Sequence, residues 1–248
     1  MTQQTAWRHI ALSTIAAAAA LVGVGGAHSG VAVVGAECTL PHHETTLPAT
    51  CRHGLIQHLR QYPEVRLATP GERARASRLR AQLVSAAEKG NWRSPQAVAR
   101  AGYRIRTASR KAGDRSVRYL HAERPQEPRG RVILNPLRPK AIIYASAPGR
   151  KLILVGAMWT MRLGERGPTP GGPITRWHSH LICSDGKHRG TKPPGSGRCP
   201  PGTRLRQGTE MMHVWFTRDL RSGFAIRPPE PELCTARLLP TSYCRRYR

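Results

Sequence analysis

Acidic side chains are scarce in this chain. Asp and Glu number 14 against 40 Lys and Arg in 248 residues, a formal net charge of +26. No two carboxylates stand at a spacing that serves paired acid–base work. Aromatic residues make up 5% and apolar residues 39% of the chain, so the core is expected to be modest. There is no G-x-S-x-G elbow, no P-loop and no dinucleotide-binding glycine fingerprint, which removes the common nucleophile and nucleotide templates. No C-x-x-C pair is present, so a thiolate metal site is not expected. No dense Lys/Arg block, stacking platform or reading helix appears, and specific nucleic-acid recognition is not expected. No internal repeat is visible.

The positive charge itself is the first feature present. Residues 1–36 hold one cation, Arg8, and no acid, which leaves +25 on the remainder. A field of that size draws anionic polymers and lipid head groups. One reading is therefore a basic, non-enzymatic envelope protein that binds an anionic cell-envelope polymer or a membrane surface.

The N-terminus carries an address. A short segment with one Arg precedes the apolar run "IALSTIAAAAALVGVGGA", and Val33 and Ala36 suit a cut before Glu37. Residues 1–36 read as a secretory signal peptide, with an uncleaved anchor as the alternative and Ala27 as a second cut site. This places the protein as secreted or at the cell surface. Six cysteines follow: Cys38, Cys51, Cys183, Cys199, Cys234 and Cys244. An even number in an exported chain favours disulfides. Sequence neighbourhood pairs them as Cys38–Cys51, Cys183–Cys199 and Cys234–Cys244, each worth about 2–4 kcal/mol by loop entropy.

Local patterns divide the rest. Residues 37–68 read as an irregular segment and 69–102 as a helical pair. In the first helix Thr69, Pro70 and Glu72 form a capping-box start, Leu79, Leu83 and Ala87 an apolar stripe, and Gly90 a stop. Ser94, Pro95 and Gly102 repeat that grammar. Residues 103–227 change to a period of two and read as an antiparallel β domain, with "AIIYA" (141–145) and "KLILVGAMWTM" (151–161) as its clearest hairpin. "TRWHSHLIC" (175–183) and "TEMMHVWFT" (209–217) are further strands. Residues 228–248 read as a Pro/Cys/Arg-rich tail. The fold class is α+β: a helical pair and an antiparallel sheet closing toward a sandwich or barrel, with disulfide-stapled loops.

Two of these strands carry histidine. Alternation puts His178, His180 and Ile182 on one face of the first, and Met211, His213 and Trp215 on one face of the second. If the faces align, three imidazoles converge as in three-histidine zinc sites. Met211 adds a soft ligand that suits copper, and Glu210 a ligand, a hydrogen-bonding partner that orients a ligand ring, or a base. His121, ending "VRYLH", is a fourth candidate. The first reading of function is therefore an exported protein that binds copper or zinc through His178, His180 and His213. The competing reading keeps the histidines as neutral, hydrogen-bonded neighbours of a Trp-rich core. Whether the protein is an enzyme is left open. "GPITRWHSH" also matches a fragment of the cupin pattern, Gly followed by His-x-His. The later cupin acid is at best Asp185, and the second cupin motif is not spaced correctly before His213.

Five segments in order carry a broader likeness: "AVARAGY" (97–103), the histidine after "VRYL", "LNPLRPKAIIY" (134–144), "LILVGAMW" (152–159) and "HVWFTRDLRSGFAIRPPEPELC" (213–234). Over roughly residues 70–234 the chain resembles a family of uncharacterised exported bacterial proteins of actinobacterial type. Its members show Ala-x-Gly-Tyr, Leu-Asp-Pro-x-Arg-Pro-Glu and His-Val-Trp followed by Phe-Ala and a late Cys. The resemblance implies export and marks His121 and His213 as functional positions. This chain departs from it at Asn135 and Lys140, where the family carries Asp and Glu, and in lacking the glycines before His121.

Overall fold

In the computed structural model the described residues are 53–56, 59–105, 116–125, 134–185, 190–191 and 199–247. The expected signal peptide (1–36) and the Cys38–Cys51 pair lie outside them. Cys183–Cys199 and Cys234–Cys244 are both formed, as their sequence neighbourhood predicts. Two disulfides indicate an oxidising, extracytoplasmic setting. Among the described residues no helix is long and apolar enough to cross a membrane.

The helical pair forms for the predicted reasons. Helix α1 (Pro70–Lys89) opens on a complete capping box: the Thr69 hydroxyl accepts from the Glu72 amide, and the Glu72 carboxylate accepts from the Thr69 amide at 2.9 Å. Leu79, Leu83 and Ala87 are buried, joined by Ala76 and Ala86. Helix α2 (Pro95–Arg100) is capped by Ser94 and buries Val98.

Among the described residues nine strands follow in chain order: β1 (His53–Leu55), β2 (Arg104–Ile105), β3 (Arg118–Glu123), β4 (Ala141–Ser146), β5 (Ile153–Thr160), β6 (Trp177–Ser179), β7 (Leu181–Ser184), β8 (Arg204–Gln207) and β9 (Met211–Trp215). Seven make one sheet in the order β1-β6-β9-β5-β4-β3-β2, while β7 and β8 form a second, two-stranded one. Six of the seven are antiparallel, and β1 joins β6 in parallel. The sheet ends at β1 and β2, which do not pair with each other, so it is open and the expected closure into a barrel is not what the chain builds.

Both faces of the sheet are covered, which explains why β4 is buried over five of its six residues. On one face Ile142, Tyr144, Ala157, Trp159, Met212 and Val214 pack against α1, Trp92 and Val98. The buried Tyr144 hydroxyl donates to the Trp92 carbonyl at 2.7 Å, so its polar end is satisfied. On the other face Ile143, Val155, Met158 and Trp215 pack against Ala225, Leu233, Leu239 and Cys244. That second cover comes from α3 (Leu220–Gly223), α4 (Glu230–Thr235), α5 (Thr241–Cys244) and the turns around them. The predicted tail at 228–248 therefore contributes core residues. The segment read as irregular, 37–68, contributes β1 and a 3-10 turn at Val65–Leu67.

One predicted strand divides. The stretch 175–183 was expected to run straight through, with Ile182 sharing a face with the two histidines. It breaks at His180: β6 stays in the large sheet and β7 leaves it to pair with β8. The His180 carbonyl accepts from the Gly208 amide at 2.8 Å, and the Ser179 hydroxyl accepts from Gln207, so the β8–β9 connection holds the break open. Strand β8 itself is exposed along its length, and its "RLRQ" carries no apolar alternation that would announce it.

Candidate functional site

The register of the sheet brings the histidines together. His178 on β6 lies directly across from Met211 on β9, and His213 lies across from Met158 on β5. Residues opposite each other point to the same face, so His178, Met211 and His213 share one. His121 on β3 pairs with Ile143, which pairs with Gly156, which pairs with Trp215. His121 thus belongs to the same face, on the far side of β4 and β5.

The rings form a chain of contacts. The His178 and His213 centroids are 5.0 Å apart, His178 and His180 are 5.6 Å apart and edge-to-face, and His121 lies 6.3 Å from His213 with the rings nearly parallel. Trp215 closes the far side of His213 at 5.2 Å. All four sequence-predicted histidines are therefore neighbours, and Met211 flanks them. Glu210 is placed differently. In the alternation of the strand it falls with Met212 and Val214, and its carboxylate accepts from the Gly167 amide at 3.0 Å, holding that loop over Trp177.

Burial decides the charge state. His178 is 1% exposed. Desolvation holds its pKa well below the usual value, and His213, His180, Arg176 and Arg227 push it down further. His213 is lowered to about 3, first by desolvation and then by His121, against the stabilising bond to Ile226. His121 is lowered by burial, with Glu123 opposing. These imidazoles are neutral at pH 7 and keep their lone pairs.

Two hydrogen-bonding facts fix which nitrogens are available. Nδ1 of His213 lies 2.8 Å from the Ile226 carbonyl. A carbonyl only accepts, so Nδ1 carries the proton and Nε2 of the neutral ring carries the lone pair. Nε2 of His178 is buried with no hydrogen-bond partner. Such orphans are uncommon in folded proteins and mark sites where another group fits. As they stand, the nitrogens are not gathered around a point. Among the described residues no group of three His, Cys, Asp or Glu is arranged to hold a metal ion.

Sequence reasoning missed Arg176. It is 3% exposed, its guanidinium donates to the Arg60 carbonyl at 2.8 Å, and its Nε has no partner. Its parity with His178 was visible in "TRWHSH", where a cation alternates with histidine along the strand. Ile226, which orients His213, was marked only by the "GFAIRP" stretch after β9. No protein-family model, no curated protein and no solved structure matches the chain.

Proposed function

We propose that this is an exported protein whose histidine cluster binds a transition-metal ion, copper or zinc, through His178, His180 and His213. His121 and Met211 stand as further ligands. The observation that carries the reading is the ring spacing. An ion about 2.1 Å from each nitrogen stands roughly 3.2 Å from each ring centre, so tetrahedral imidazoles have centres about 5 Å apart. The His178–His213 and His178–His180 spacings of 5.0 and 5.6 Å match that. Closing the site then takes ring rotation, not movement of strands, and His180 stands exposed at the strand break. The Nδ1–H bond from His213 to Ile226 is the kind of contact that orients a ligand ring. The family resemblance stays a proposal alongside this one; its two marked positions, His121 and His213, are the parallel pair.

The test is metal uptake by the oxidised, purified protein. We expect about one zinc or copper ion per chain, lost in the double variant His178→Leu/His213→Gln. Gln keeps a donor for the Ile226 carbonyl, and near-ultraviolet circular dichroism checks the fold. Equal uptake by the variant rejects the reading.

The net charge of +26 favours a second reading, attachment to an anionic envelope polymer or membrane surface. Arg204 and Arg206 on the exposed β8 belong to that surface. Binding to polyphosphate or to anionic vesicles is then expected to fall at least about tenfold between 50 and 200 mM salt, in keeping with counterion release. Salt-independent binding, or none, removes this reading.

A further inference from the structure

A cleft of about 560 Å³ opens beside the C-terminal disulfide, within the size range of ligand sites. One wall is the turn between β4 and β5, which brings Arg150 and Ile153. The other is the loop closed by Cys234–Cys244, which brings Arg237, Leu239, Thr241 and Ser242. Both half-cystines line the cleft themselves, so the cross-link holds this wall in shape before any ligand arrives. Every charge on the lining is positive. The acids of the adjoining α4 are engaged elsewhere: Glu232 accepts from Tyr62, and Glu230 accepts from Tyr119 and Arg246. Among the described residues neither Arg150 nor Arg237 forms an ion pair. A second cleft, beside the C-terminal end of α1, differs in this respect. It carries Arg80 and Arg93 but also Glu88, and Asp219 acts on Arg80.

Arg237 occupies a backbone conformation that disfavours it. Helix α4 ends in a Schellman turn: the Leu238 amide donates to the Leu233 carbonyl at 2.9 Å, and the Arg237 amide to the Cys234 carbonyl at 3.0 Å. That turn sets Arg237 at a φ of 58°, in the left-handed region. Glycine suits the position, and a residue with a Cβ is strained there. The chain thus keeps a guanidinium at the cleft against a local preference, and such strain gathers at functional positions. Guanidinium forks pair with phosphate oxygens two at a time, and the Thr241 and Ser242 hydroxyls add donors for the oxygens that remain. Ile153 and Leu239 give the carbon atoms attached to a phosphate an apolar surface. The concave shape fits a chain segment better than a flat lipid surface. Resting on the second reading of function, we propose that this cleft holds a phosphate group of an anionic envelope polymer, with Arg150 and Arg237 as its charged partners.

Tripolyphosphate is the probe, titrated calorimetrically into the full oxidised chain at low salt beside tricarballylate, a tricarboxylate of comparable charge. Saturable binding of tripolyphosphate is expected, with tricarballylate weaker. Arg237→Gly is expected to lower the affinity about tenfold or more, as for loss of a hydrogen bond between charged groups. The same variant relieves the left-handed backbone, so its urea midpoint is expected to stay level or rise. Arg150→Gln is expected to lose affinity similarly. Arg93→Gln removes an equal charge from the second cleft and is expected to leave binding nearly unchanged. Equal losses in all three variants, or no saturable site while long-chain polyphosphate still binds, overturn the cleft and leave the second reading standing. Tricarballylate binding as tight as that of tripolyphosphate overturns the assignment to phosphate. Phosphatidylglycerol vesicles that lose affinity through Arg237→Gly, with tripolyphosphate unbound, overturn the polymer in favour of a lipid headgroup. A lowered urea midpoint in Arg237→Gly overturns the strain assigned to that position, and Arg150→Gln against Arg93→Gln then decides the site. Failure of polyphosphate and vesicles alike to bind overturns both the cleft and the second reading.

Discussion

Acidification from pH 7 to pH 4 is expected to lower the unfolding free energy by at least about 3 kcal/mol, the share that His213 alone supplies. The cause is the buried histidine pair. Desolvation lowers His213 to about 3 and holds His178 well below its usual value, with neighbouring histidines and arginines adding to the effect. In the unfolded chain both rings take up a proton near pH 6.5. The sign follows from that difference. Between about pH 6.5 and 3 the unfolded state binds more protons than the folded one, so stability rises with pH across the window. The contribution is complete above 6.5 and is lost as pH falls toward 3. Glu123 beside His121 opposes part of the loss. Asp219 acts in a different window. Burial pushes its carboxyl up, but bonds from Ser222 hold it below its usual value on balance, so it costs stability only below about pH 4. Urea unfolding of the metal-free protein at pH 7, 6, 5 and 4 measures the slope, and His178→Leu/His213→Gln is expected to flatten it. A flat profile in the parent, or the same slope in the variant, contradicts neutral burial of the pair.

Where side-chain chemistry acts locally, the fold was legible. Thr69, Pro70, Glu72 and Gly90 bound α1 because capping needs only residues within one turn. The 141–161 hairpin followed from its apolar runs and the "APGR" turn. The meeting of His178 with His213 also followed from alternation, given that their strands adjoin. The elements that local pattern did not reveal are those held by distant partners. Strand β1 is three residues long and gains its order from parallel pairing with β6, more than a hundred residues away. The break at His180 depends on the Gly208 amide. Leu233, Leu239 and Cys244 are spread through a Pro-rich stretch with no period, so their burial beneath the sheet has no local signature. Arg176 was missed for a related reason: an arginine in a strand of a strongly basic chain reads as surface until its burial is known.

Replacing Gly156 with alanine is expected to destabilise the protein by about 3 kcal/mol, the upper end of overpacking effects. The residue lies in β5, paired with Ile143 on one side and Trp215 on the other. A Cβ there would stand 2.5 Å from the Val214 carbonyl oxygen and 3.2 Å from the Trp215 Cα. Both are backbone atoms of a neighbouring central strand, so no side-chain rotation relieves the clash. The strand can accept the methyl only if β9 moves away from β5, and the Met158–His213 pair is two residues along the same ladder. The glycine inside "LILVGAMW" therefore marks a close approach of two backbones, as glycine within a strand often does. Gly71 supplies the control. Its added Cβ meets only the flexible end of Arg75 at 3.3 Å, and it lies in the first turn of α1. Gly71→Ala is expected to be neutral or to stabilise by about 0.5–1 kcal/mol through helix propensity. Chemical denaturation of the two variants beside the parent measures the contrast. A Gly156→Ala protein within about 1 kcal/mol of the parent would show that β5 and β9 are not packed backbone to backbone, and the sheet register that aligns His213 with His178 would lose its support.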